Sequence, residues 1–151
     1  MLSLPLLKGI DMADWQHYVK ASYEMVVIAE PNVQPELDET LESYVVHLLA
    51  RNFREHSFGE KPVAITLMES MSLPGYQKRQ SMAMLGDECL FIAGFEMKKR
   101  RWPSNSYYHD MGAMAYGYAA FAIPPPDPLY SHLENNFNLL GKVIRQINKM
   151  I

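Results

Sequence analysis

Leu85-Gly86-Asp87-Glu88-Cys89-Leu90-Phe91-Ile92-Ala93-Gly94-Phe95 is the stretch that decides how this chain folds. Projected at about 100° per residue, its apolar side chains do not keep to one side. Leu85 and Ile92 point one way, Leu90 another, and Phe91 and Phe95 a third. A helix that is apolar all round is a buried helix. The segment from about Tyr76 to Arg101 is therefore expected to be the centre of an all-α, single-domain bundle spanning residues 1–151, with the other helices arranged around it.

Five further helices are expected outward from this centre. Upstream, Pro74-Gly75 separates it from a short helix over Pro62–Met71. Before that, Pro35–His56 carries the stripe Leu37, Leu41, Tyr44, Val45, Leu48 and Phe53, with Pro35 suited to a first helical position and Glu36, Asp38 and Glu39 at the positive end of the dipole. The first helix runs from about Asp11 to Ala29, closed by Glu30-Pro31. Downstream, a helix from Ser104 or Ser106 to Ala122 is followed by Pro124-Pro125-Pro126. Asp127-Pro128 then opens a last helix with the stripe Leu129, Leu133, Phe137, Leu140, Ile144 and Ile147.

Glycine inside a helix costs about 1 kcal/mol relative to alanine, so its presence there needs a reason. Gly86, Cys89 and Ala93 share one side of the central helix; Gly112, Ala115 and Ala119 do the same on the next. Two stripes of small residues predict a close crossing of these two helices. Beside the first stripe, Asp87 and Glu88 are carboxylates on an apolar helix, and buried carboxylates must be paired, hydrogen-bonded or protonated. Arg79, Tyr107, Tyr108, His109 and Tyr116 are the candidate partners. Asp87, Glu88, Arg79, Tyr107, Tyr108 and Tyr116 thus form either a structural network or a ligand site with tuned acids.

Other chemistries find little support. The formal net charge is −3, which argues against a broad nucleic-acid surface. The basic run Lys98-Lys99-Arg100-Arg101 is read first as a helix C-terminus complementing the dipole. With a single cysteine, Cys89, neither an internal disulfide nor a multi-cysteine metal site is possible, and a reducing cytoplasm fits. No Glu-x-x-His pair of the kind that builds di-iron bundles is present, so no metal and no cofactor are expected. There is no nucleophile elbow, phosphate-cradling glycine loop or dinucleotide fingerprint. Met1 to Ile10 lacks the basic start and cleavage site of a secretory signal, and no stretch has the length of a membrane span.

Leu85-Gly86-Asp87, Leu90-Phe91, Gly94, the basic segment, Tyr107-Tyr108, Gly112 and Ala115-Tyr116 together resemble a group of uncharacterised bacterial helical proteins, over about residues 81–118. The resemblance implies a bacterial all-helical protein and carries no activity with it. The resulting expectation is a non-enzymatic helical module working through protein contacts, as a homo-oligomer or with a protein partner. The alternative is a small-molecule binding protein or enzyme centred on Asp87, Glu88 and the Tyr107–Tyr116 helix.

Overall fold

Seven α-helices make up the computed structural model, which describes residues 12–55, 61–96 and 104–151. They are α1 (Met12–Ala29), α2 (Glu39–Arg54), α3 (Val63–Met71), α4 (Gly75–Phe95), α5 (Asn105–Phe121), α6 (Pro128–Asn135) and α7 (Phe137–Met150). A single turn of 3₁₀ helix, Glu30–Asn32, follows α1. No strand occurs among the described residues, and the chain is all-α.

The helix starts follow from local hydrogen bonding. Asp38, not Pro35, caps α2: its carboxylate accepts from the Leu41 amide at 2.8 Å, and residues before it are not helical. The Ser104 hydroxyl caps α5 by accepting from Tyr107, and the Asp127 carboxylate caps α6 by accepting from Leu129 at 2.9 Å, with Pro128 in the first turn. α4 ends at Phe95, where Glu96 takes a left-handed conformation (φ 52°), earlier than the expected Arg101. The run Lys98 to Arg101, His56 and the expected cap Asp11 lie outside the described residues.

The expected last helix is two. Asn136 sits at φ −117° and ψ 17°, and its side-chain amide donates to the His132 carbonyl at 2.9 Å. The Asn136 backbone N–H still reaches the same carbonyl at 3.1 Å, so the break is a single residue of non-helical backbone between two helices and not a loss of the ladder. The apolar stripe nevertheless continues across the break, because Leu133, Phe137, Leu140, Ile144 and Ile147 are all buried.

α4 packs against α3, α5 and α7, and α1 against α2. The main core contains Leu85, Leu90, Phe91 and Ile92 of α4 together with Val45 and Leu49 of α2, Tyr116 of α5 and Phe137 and Ile144 of the C-terminal helices. Central burial therefore holds for the second half of α4. In its first half Tyr76 and Met84 are exposed, and only Met82 and Ala83 are buried, in a separate small cluster with Ala119.

The small-residue crossing is present. A Cβ added at Gly112 would lie 2.7 Å from the Cys89 Cβ and would also meet the Phe137 ring, so α5 approaches α4 as closely as a glycine permits. A Cβ at Gly86 would meet the Tyr116 ring, and one at Gly94 the Ile144 side chain. Gly86 thus makes room for a side chain, and that side chain is a tyrosine whose hydroxyl lands on the neighbouring residue, Asp87.

Candidate functional site

Asp87 lies at the junction of three helices. Its side chain is 13% exposed. One carboxylate oxygen, Oδ1, accepts from the Tyr44 hydroxyl of α2 at 2.5 Å and from the Tyr116 hydroxyl of α5 at 2.6 Å. The other, Oδ2, accepts from Arg51 Nη2 of α2 at 2.8 Å. The Tyr44 and Tyr116 rings meet edge to face at 6.2 Å, and Tyr116 stacks on Tyr130 of α6 at 6.4 Å.

The electrostatics follow from this enclosure. Burial raises the pKa of the Asp87 carboxyl, while the hydroxyls of Tyr116 and Tyr44 and the charge of Arg51 act in the opposite direction and offset part of the shift. Burial first, and the Asp87 charge second, push both phenols above the ordinary tyrosine value. Tyr44 and Tyr116 are therefore held protonated, as donors. Burial likewise raises the Cys89 thiol, with the charge of Glu88 adding to it, so this cysteine is a small core residue and not a nucleophile.

Of the residues singled out in the sequence, Asp87 and Tyr116 meet. Arg79 is engaged elsewhere: Nε donates to the Ala119 carbonyl at 2.9 Å, and Nη2 to those of Ala120 and Ile123 at 3.1 and 3.0 Å. It satisfies the carbonyls that α5 leaves open at its C-terminus. Tyr108 is buried in the main core and Tyr107 packs against it, their rings meeting edge to face at 5.5 Å, and the donors to Asp87 are instead Tyr44, Tyr116 and Arg51. His109 packs its ring on Phe137 at 5.0 Å. Glu88 lines an open cleft of about 710 Å³ between α2, α3 and α4, with Arg51, Arg54, Thr66, Gln80 and Asp87.

Reaction chemistry is poorly served by this arrangement. Three hydrogen bonds already fall on the Asp87 carboxylate, two at Oδ1 and one at Oδ2, and all three donors come from the chain itself. Among the described residues no group of three His, Cys, Asp or Glu side chains is placed to hold a metal ion. The geometry suits a tie that locks α2 and α5 onto α4.

A different feature faces outward at the α3 end. Met114, Tyr118 and Phe121 are exposed at i, i+4 and i+7 on one face of α5, with Phe121 67% exposed. α3 packs on α4 and touches α5, leaving Ile65, Met68 and Met71 exposed, Met68 by 69%. Leu67 of α3 turns inward onto the small cluster formed by Met82, Ala83 and Ala119. No family model, curated protein or solved structure matches this chain. Among the described residues no helix is long and apolar enough to cross a membrane.

Sequence reasoning missed Tyr44 and Arg51. Tyr44 was legible as part of the α2 apolar stripe, and a tyrosine in such a stripe carries a hydroxyl that requires a partner. Arg51 stands two turns further along the same face. That coincidence was the available signal, but nothing in the sequence set the register of α2 against α4.

Proposed function

We propose that this chain is a non-enzymatic helical interaction module, and that it assembles with a second copy of itself through the α3 and α5 end face. One observation carries the reading: Met114, Tyr118 and Phe121 form an exposed apolar stripe above a core whose acidic centre is already satisfied internally. Apolar side chains grouped on one face favour an interface, since burying them against a like surface removes them from water. Met and Tyr suit such a contact, the first because it adapts its shape and the second because it buries a large ring while keeping a polar tip wet. A two-fold pair in which the same stripe serves both partners is the simplest closed assembly. The reading extends to a bacterial cytoplasm, where a lone buried thiol stays reduced.

Light scattering at high protein concentration tests it. The wild type should be dimeric, and Phe121→Glu with Tyr118→Glu should be monomeric. Phe121 is 67% exposed, so Phe121→Glu alone should change folding stability of the monomer by no more than about 0.5 kcal/mol. A wild type that stays monomeric at every concentration overturns the proposal.

A further inference from the structure

α7 presents Lys142, Arg145 and Lys149 at i, i+3 and i+7, on one side of the helix. Opposite them, the turn after α1 brings in Asn32 and Gln34, and Gln146 completes the rim of a cleft of about 300 Å³. Val33, buried, belongs to the same lining. Three cations and three side-chain amides line this cleft, and no carboxylate does. The acids nearest in sequence, Glu30 and Glu36, interact with each other, and Glu30 also with Glu42, and none of the three lines the cleft.

The state of Arg145 sharpens the point. Four arginines fall among the described residues. Arg51 holds Asp87, Arg54 lies over the Trp15 ring at 4.6 Å, and Arg79 caps α5. Arg145 is half-buried, folded back over Gly141, yet among the described residues it makes neither a hydrogen bond nor an ion pair. Lys142, Lys149, Asn32, Gln34 and Gln146 likewise engage no polar partner there. A fork of N–H donors between two ammonium groups, on a protein whose net charge is −3, is local complementarity for a compact anion.

We infer that this cleft binds a phosphate group. Its size admits a phosphomonoester or a diphosphate: Arg145 donates to two oxygens, Lys142 and Lys149 neutralise the charge from either side, and the amides of Asn32, Gln34 and Gln146 supply further donors. A free phosphorylated metabolite and the headgroup of an anionic lipid share this chemistry. The site is separate from the Asp87 centre and from the apolar face of α5, so it stands whether or not the chain dimerises.

Amide NMR of the full chain, titrated with inorganic phosphate and with pyrophosphate at constant ionic strength against sodium chloride, reads the site directly. Saturable shifts should be confined to residues 32–34 and 142–149, with pyrophosphate binding the tighter. Lys142→Gln with Arg145→Gln should weaken binding by about tenfold or more, since loss of two charge-assisted contacts exceeds the 1.4 kcal/mol that a decade represents. Melting without phosphate should change little, because neither side chain makes a hydrogen bond or ion pair among the described residues and glutamine keeps part of the Arg145 stem that packs over Gly141. Vesicles of phosphatidylcholine with and without phosphatidylglycerol separate the two sources: sedimentation dependent on phosphatidylglycerol and lost in the double variant assigns the headgroup, and its absence alongside phosphate binding assigns a free anion. Shifts reproduced by chloride, or the absence of both saturable shifts and variant-sensitive sedimentation, would overturn the inference.

Discussion

The two halves of α4 share one helix and little else. From Leu85 to Phe95 the helix is enclosed, with α5 and α7 packed against it and side chains of α2 reaching across. From Gly75 to Met84 it lies under the short α3 and the end of α5, leaving Tyr76 72% and Met84 65% exposed. The difference shows that an apolar-all-round pattern buries a helix only where neighbours exist on every side. The composition marks the boundary: Gln77, Lys78, Arg79, Gln80 and Ser81 are polar, and an apolar run interrupted only by Asp87 and Glu88 begins after them. The enclosed half supplies stability and the open half supplies surface.

That contrast breaks if the two halves respond alike to truncation. Leu90→Ala, in the enclosed half, should cost about 3–4 kcal/mol, while Met84→Ala in the open half should stay within about 0.5 kcal/mol. Urea denaturation of both variants decides it, and equal losses would remove the distinction. Gly112→Leu tests the closeness of the α4 and α5 crossing; it should cost about 3 kcal/mol, because even its Cβ meets Cys89 and Phe137. A melting profile unchanged from wild type would mean that the two helices have room to spare.

Asp87→Asn asks whether the enclosed half hides a tie or a ligand site. As a tie, it should lose about 1–3 kcal/mol, and a double-mutant cycle with Tyr44→Phe should show coupling above about 0.5 kcal/mol. Undiminished or increased stability would instead favour a ligand in the neighbouring cleft. The smallest effect belongs to Glu30. Burial first, and then the neighbouring Glu42 carboxyl, raise its pKa to about 7 from an ordinary 4.5. Between those values the folded chain keeps a proton that the unfolded chain releases, so stability falls as pH rises through the window. Glu30→Gln should flatten that slope and add roughly 0.5 kcal/mol at pH 8 after allowing for solvent screening. Chemical denaturation at pH 5 and pH 8 measures both, and an unchanged slope would show that Glu30 ionises freely.

The sequence disclosed the helical class, the buried segment and the small-residue crossing because each rests on local periodicity. It misplaced the start of α2 because Pro35 and Asp38 are competing start signals three residues apart, and the side-chain cap at Asp38 prevailed. The α6–α7 break was hidden because Leu133 and Phe137 keep helical spacing across it, while the break itself is one residue, Asn136, with no proline or glycine to mark it. At the candidate site, Tyr116 could be offered as one of five partners for Asp87, because Gly86 and Ala115 mark where their helices touch. Tyr44 and Arg51 could not, since side-chain contacts between helices distant in sequence depend on packing angles that no local pattern records.

The donors to Asp87 come from 29, 36 and 43 residues away along the chain. A carboxylate stripped of water before they arrive would cost free energy, so this junction forms only when three helices converge. Contacts closed late in folding contribute little to the transition state and much to the barrier that opposes unfolding. Tyr44→Phe should therefore leave the refolding rate nearly unchanged and speed unfolding, a φ-value near zero, making Asp87 a latch on the finished bundle and not the seed from which it grows.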